Sequence, residues 1–430
     1  MSAAHKSEKK PTNSYSVVEI CAGAGGQALG LEKAGFEHSL AVELDKFASQ
    51  TLRDNRDWEV AEGDVANRST WNPGAYEGVD LLAGGVPCPP FSIAGKQLGA
   101  SDERDLFAWA IELTGVMKPR ALMLENVRGL STPRFGAYRQ RILDRLAELG
   151  YVADWQLLHA SDFGVAQLRP RFVLVALRED DASYFHWPVA SPTGLTVGTV
   201  LHDLMASRGW VYADAWAEMA NDIGPTLVGG SKKHGGADLG PTRAKRAWLE
   251  LGVDGKGIAN EVPERRARHP KNVPPKLTIE MVARLQGWAD EDEWDFAGGK
   301  TAKYRQIGNA FPPPVAQAVG TSIKAAFDKT VEKRDLPELA TASVHDPIYQ
   351  ILSSTDGAIA AEKILAILNG AVDLSGLERR IAHISRDFAV DIAVHPKGGV
   401  TYELGNFKGF TGQEDHHRHD YIAANRSRVS

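Results

Sequence analysis

Cys88 stands in the run Gly85-Val86-Pro87-Cys88-Pro89-Pro90-Phe91-Ser92, directly after the apolar stretch VDLLAGG. Prolines on both sides fix the direction of the sulfur, and a position just past a parallel strand lies at the carboxyl edge of a sheet, where ligands bind in open α/β folds. That is a setting for a thiolate nucleophile. The other cysteine, Cys21, reads as the commoner case of a buried, inert thiol.

Three further groups could meet at the same edge. Glu125, in Leu124-Glu125-Asn126-Val127, closes another apolar run, where a carboxylate can serve the edge or cap the next helix. Arg169 and Arg171 enter the stretch RFVLVAL two residues apart, so on a strand they point to the same side. They could hold an oxygen and favour a thiolate, or simply be solvated. The segment Glu19-Ile20-Cys21-Ala22-Gly23-Ala24-Gly25-Gly26 lies between a strand and a helix, and its glycines allow a tight turn close to a cofactor. Glu43 follows about 20 residues later, as an acid that holds ribose hydroxyls does. The loop alone does not separate a nicotinamide dinucleotide from S-adenosylmethionine.

The elements that must position these residues alternate from Tyr15 to Leu177. Strands are expected at SVVEI, HSLAVEL, VDLLAGG, ALMLE, YVADWQLL and RFVLVAL. Helices are expected at ALGLEKAGF, DLFAWAIELTGVM and FGAYRQRILDRLAELG, the last closed by Gly150. Such alternation predicts an α/β fold with a mostly parallel sheet and helices on both faces. From about residue 178 to 276 the rhythm is lost among Gly, Pro and basic residues. Helical spacing returns in LTIEMVARLQGW and in PPVAQAVGTSIKAAFDKTVEK, which could pack back on the first lobe. Between 346 and 407, the helices AAEKILAILNG and LSGLERRIAHISRDF precede a hairpin around a Gly-Gly turn, VDIAVHP-KGG-VTYEL, which suggests a winged helix-turn-helix. Residues 1–14 and 408–430 read as polar, disordered tails; the close histidines in the second read as solvated rather than metal-binding.

Composition sets the outer limits. With 43% hydrophobic and 24% charged residues among 430, the chain can bury a sizeable core in two or three structural units. No apolar run approaches the roughly 20 residues that cross a bilayer, and the N-terminus lacks a signal-peptide core. Two cysteines make neither a disulfide framework nor a four-cysteine zinc site, so a reducing cytoplasm and no metal are expected. The net charge of -6 speaks against a uniformly polyanion-binding surface, but residues 229–276 carry eleven Lys/Arg against five acids.

Taken in order, the blocks EICAGAGGQALGLEKAGF, AVELDKFA, EGDV, GGVPCPPFSIAGKQLG, LENVRG, QLRPRF, RLQGW and QIGNAFPPPVAQAVG resemble the DNA (cytosine-5) methyltransferases over residues 16–328. The resemblance implies a Rossmann-like, S-adenosylmethionine (SAM)-dependent catalytic domain (15–178 plus 277–330), an inserted target-recognition domain (179–276) and, outside both, the winged-helix-like unit (346–407). It implies that Cys88 attacks cytosine C6, that Glu125 bonds N3 and the amino group of a flipped base, that Arg171 holds O2, and that Arg169 lies near the sulfur. SAM would rest on Cys21, Ala22, Gly23, Gly25 and Gly26, with Glu43 on the ribose, Asp64 and Val65 beside the adenine, and Pro87, Asn309 and Ala310 closing the pocket. The loop from Ser92 to about Asp105 would close over duplex DNA. Thr226 and Leu227, the Thr-Leu pair of GPTLVGGSKKHGG, would read it together with Lys232, Lys233 and Arg243. Two positions depart from the family pattern: Cys21 where many members have Phe, and Pro89 where many have Gln or Ser. A monomer is expected, with a cognate restriction endonuclease left open as a partner. The alternatives are an inactive DNA-binding regulator and an RNA-directed relative. The large insertion argues for DNA, and the absence of an Asp/Asn/Ser-Pro-Pro-Tyr/Phe block argues against amino-directed methylation.

Overall fold

Val17, Val18 and Ile20 are fully buried because their strand, β1 (Tyr15–Ile20), runs through the middle of a seven-stranded sheet covered on both faces. The computed structural model describes residues 14–87, 104–229, 237–336, 345–396 and 399–408. The other strands of the sheet are β2 (Phe36–Glu43), β3 (Val60–Glu62), β4 (Leu81–Gly84), β5 (Ala121–Val127), β6 (Tyr151–His159) and β7 (Pro170–Arg178), in the order β3-β2-β1-β4-β5-β7-β6. The pairs from β3 to β5 are parallel, whereas β7 is antiparallel to both β5 and β6. Hence the start of β7 and the ends of β1 to β5 share one edge, with Arg171 opposite Val127 and Val173 opposite Glu125.

The six strands expected from the sequence form, and the sheet adds the three-residue β3. Helices Gly26–Ala34, Arg104–Met117 and Gly136–Glu148 match the expected ones, and Lys46–Asn55 is additional. The last is opened by Asp45, whose carboxylate accepts from Phe47 N and Ala48 N. The late helix Pro313–Asp328 does return to the sheet: Val315, Val319, Ile323 and Phe327 share a core with Val17, Leu31 and Phe36. It lies close to Gly26–Ala34, since a Cβ on Gly30 would sit 2.4 Å from Pro313 O.

The region without sequence rhythm is helical. Val197–Ala206, Ala213–Met219 and Thr242–Glu250 surround buried Trp210, Trp216 and Trp248, and no strand occurs among its described residues. Helices Ile279–Gln286 and Lys300–Asn309, expected to belong to the catalytic lobe, contribute Met281, Leu285, Tyr304 and Ile307 to this second core. The chain rejoins the sheet's own core at Phe311.

The C-terminal unit runs from helix Pro347–Ser353 through β8 (Ile359–Ala360) and helices Ala361–Ile367 and Leu374–Asp387 to the hairpin of β9 (Phe388–Val394) and β10 (Val400–Phe407). Its strands form an antiparallel sheet in the order β8-β10-β9. Its core of Ile348, Leu352, Ile364, Leu377, Ile381, Ile384 and Tyr402 also takes in Ala137, which belongs to the helix Gly136–Glu148 of the sheet lobe. Among the described residues, no helix is long and apolar enough to cross a membrane.

Candidate active site

At the shared strand edge a cavity of about 830 Å³ opens, within the range of small-molecule sites. Its floor is the turn after β1. Cys21 there takes a positive φ of 52°, and Gly23, at φ 58°, has nothing within 4 Å of where a Cβ would stand. The neighbouring glycines serve a different end. A Cβ on Gly26 would lie 2.3 Å from Phe311 O, and one on Gly25 2.5 Å from the Trp294 ring. Gly25 is off the cavity wall, so it shapes the turn by packing rather than by admitting a ligand.

Glu43, at the end of β2, braces that turn. Its Oε2 accepts from Gly23 N and its Oε1 from Asp45 N, each at 2.7 Å. Burial raises its pKa and the backbone N–H groups oppose the rise. One lone pair on each oxygen remains for a hydroxyl. Val65 and Pro87 line the wall that follows β3 and β4, and Asn309, Ala310 and Phe311 line the opposite one. Asp64 stands just behind Val65, its Oδ1 accepting from Ala66 N. The glycine turn, an acid at the end of β2 and apolar walls on both sides suit an adenosyl group.

Glu125 and Arg171 meet at the far end of the cavity. Arg171 Nε lies 2.5 Å from Glu125 Oε1, with both side chains about 10% exposed. The contact is an ion pair in which the Nε–H is not aimed at the oxygen. Burial raises the pKa of Glu125 against the lowering effect of Arg171 and Arg169. Asn126 Nδ2 donates to Val86 O (3.2 Å) and ties the end of β5 to the loop that leads to Cys88. Cys88 itself, with Ser92, Lys232 and Lys233, lies outside the described residues.

Arg169 is expected near the sulfur of Cys88, which lies outside the described residues. It is fully buried, off the cavity wall, with Nη1 donating to Leu227 O (2.7 Å) and Nη2 to Gly308 O (2.8 Å) and Ala310 O (2.7 Å). Three carbonyls from two chain segments occupy three of its four terminal N–H groups, so it fastens the segment of Leu227 to the cavity wall at Ala310. Leu227, expected to read DNA, lines the same cavity as Thr226. It is 1% exposed, its N donates to Gln167 Oε1 (2.7 Å), and its apolar side chain belongs to the second core. Thr226 lines the cavity, and Arg243 is exposed on the helix Thr242–Glu250.

Two groups escaped the sequence reading. Glu19 is fully buried on β1 and lines the cavity, with Oε2 2.9 Å from His38 Nε2 and Oε1 without a hydrogen-bond partner. Burial raises its pKa, opposed by His38. An acid inside the apolar run SVVEI was the available signal. Gln167 is the second: its Nε2 donates to Leu285 O and Gln286 Oε1, which joins both lobes beneath the cavity.

A family model for C-5 cytosine-specific DNA methylase matches residues 15–325. The chain is 59% identical over 418 residues to the type II methyltransferase M.NaeI of Lentzea aerocolonigenes, a match covering 97% of this chain and 100% of the relative. The chain belongs to the C-5 cytosine-specific DNA methylase family. This methylase is also 50% identical over 320 residues to the type II methyltransferase M.NgoMIV of Neisseria gonorrhoeae, covering 73% of this chain and 99% of that one. Its fold resembles a putative DNA modification methyltransferase encoded within an Escherichia coli prophage, with a TM-score of 0.51, 21% identity, and coverage of 73% of this chain and 100% of that structure. The enzyme is a DNA (cytosine-5) methyltransferase of α/β fold with a mostly parallel sheet.

Proposed function

We propose that this enzyme transfers the methyl group of SAM to C5 of a cytosine turned out of duplex DNA, with Cys88 as the nucleophile. The observation that carries the reading is the buried Glu125–Arg171 pair, which faces the glycine turn and Glu43 across one cavity. Cytosine C5 attacks nothing until an electron pair is supplied at C6. Addition of the Cys88 thiolate forms the S–C6 bond and moves electron density towards C5 and the N3–O2 side. A carboxyl raised by burial can bring a proton to N3, and the adjacent guanidinium faces O2. SAM would supply the methyl electrophile, and Gly23, Glu43, Val65, Pro87, Asn309 and Ala310 would hold it, with Glu19 lining the same cavity. Loss of the C5 proton to a base then expels Cys88 and restores the ring. Asp64 and Arg169 hold the surrounding backbone, so we assign them positioning roles.

A stacked base is out of reach of such a cavity, so the cytosine must leave the helix at a cost of a few kcal/mol. Exposed Arg243, Arg265, Arg266, Arg268 and Lys271 favour phosphate contact by the second lobe. The type II relatives favour a restriction endonuclease as the functional counterpart. The C-terminal unit reads as winged-helix-like from its order of elements. Between 345 and 408, acidic side chains outnumber basic ones, which weighs against a phosphate-binding role for it.

Bisulfite sequencing of DNA from cells expressing the protein reads the target. Cys88→Ala abolishes methyl transfer and the denaturation-resistant adduct with 5-fluorocytosine DNA, while SAM binding stays near wild type. Normal turnover by Cys88→Ala would sink the covalent route.

A further inference from the structure

We infer that Arg139, held by His345 of the C-terminal unit, is a positioning residue that sets the loop carrying the chain out of Glu125, so that the C-terminal unit takes part in shaping the active site. The family model ends at residue 325, well before this contact. The inference rests on the proposed role of Glu125 and adds a residue pair to it.

Arg139 lies in the first turn of the helix Gly136–Glu148 and is 6% exposed. Its Nη1 donates to Leu130 O (2.7 Å) and Thr132 O (2.8 Å). Those carbonyls belong to the loop that continues from β5, whose earlier members Val127, Arg128 and Gly129 line the cavity directly after Glu125 and Asn126. Its other hydrogen bond among the described residues is with the C-terminal unit: Nε donates to His345 Nδ1 at 3.1 Å, and the guanidinium also lies 5.8 Å from the centroid of the Phe172 ring. No carboxylate pairs with Arg139 among the described residues, and burial lowers its pKa to about 10, with Asp346 opposing. The guanidinium is therefore placed by neutral acceptors, and the imidazole is the one that comes from outside the methylase domain. Burial, followed by Arg139, lowers the pKa of His345 to about 4, so Nδ1 keeps the lone pair the contact needs at neutral pH.

The fit around this contact is close. A Cβ on Gly136 would stand 2.5 Å from His345 O and 3.2 Å from Asp346 Cβ. His345 N donates to Gln140 Oε1 (3.3 Å), and Tyr349 Oη donates to Asp144 Oδ2 (3.2 Å) one turn further along the helix. The second bond docks the unit without touching Arg139, which makes it a built-in control.

The test uses the full chain, a duplex carrying the sequence read by bisulfite sequencing, and saturating SAM. His345→Leu removes the acceptor, His345→Asn keeps an acceptor oxygen at nearly the same place, and Tyr349→Phe removes the docking bond alone. Misplacement of a catalytic group by about an ångström lowers rates roughly ten- to a hundredfold. The single-turnover methyl-transfer rate of His345→Leu falls by that factor, with SAM affinity and KM for DNA within about twofold of wild type. His345→Asn recovers most of the rate, and Tyr349→Phe keeps it. An unchanged rate in His345→Leu overturns the inference, and so does a loss in Tyr349→Phe equal to that in His345→Leu, which would mark a general docking effect. A wild-type protein that methylates no DNA would instead overturn the proposed function.

Discussion

Glu43→Gln separates a cofactor ligand from a structural brace. In the wild type, two backbone N–H groups 22 residues apart in sequence donate to one carboxylate at 2.7 Å each. A glutamine offers one carbonyl oxygen. Its NH2 would face the second N–H, donor against donor, and must rotate away. A hydrogen bond to a charged acceptor is worth about 1.5–3 kcal/mol, and release of a carboxylate whose pKa burial raises recovers part of that loss. Net destabilisation is therefore about 1–2 kcal/mol. The cofactor feels a larger change, because a neutral amide accepts hydroxyl bonds less strongly and the Gly23 turn that forms the floor loses its brace. SAM affinity falls roughly ten- to a hundredfold, which corresponds to about 1.4–2.8 kcal/mol. Calorimetric titration with SAM, alongside thermal unfolding, reads both quantities. The wild type should also bind SAM more weakly as pH falls through the raised pKa of Glu43, and the variant should lack that limb. A variant with the expected loss of melting temperature but full SAM affinity at all pH values would show that Glu43 only braces the turn.

Gly308→Ala tests the seam between the helix Lys300–Asn309 and the segment after Leu227, where the new Cβ would meet Gly229 Cα and N at 2.5 Å, backbone against backbone. No rotamer relieves that overlap, so about 1–3 kcal/mol of stability is lost and kcat/KM on target DNA drops with it; wild-type values for both would mean the seam opens freely. Acid titration of stability reads the half-buried His345. Its folded pKa of about 4 lies below the reference 6.5, so its contribution is full above about 6.5 and is lost as pH falls to about 4. The loss is at most about 3 kcal/mol and smaller after solvent screening, because the ring is partly exposed. Urea unfolding of His345→Asn should show a shallower decline over that window, and parallel curves for the two proteins would exclude the histidine as the source.

The edge that carries the cavity was legible because its signals are local. A glycine turn and the acids Glu43 and Glu125 closing apolar runs announce themselves within a few residues, and alternation of strand and helix places them at one edge of a parallel sheet. The second lobe was not legible. Its short helices bury single tryptophans among Gly and Pro, so no window holds enough apolar residues at helical spacing to register. Met281 and Ile307 have an apolar character that suits either core, and only packing groups them with Trp216 and Trp248. Sequence spacing placed Arg169 and Arg171 on one side of a strand. Only the tertiary structure sends Arg171 to Glu125 and Arg169 to three carbonyls, because the segments that present those carbonyls lie 58 to 141 residues away in the chain. The same holds for Arg139 and His345, 206 residues apart: each is unremarkable where it stands in the sequence, and the contact exists because two separately patterned units bury one helix between them.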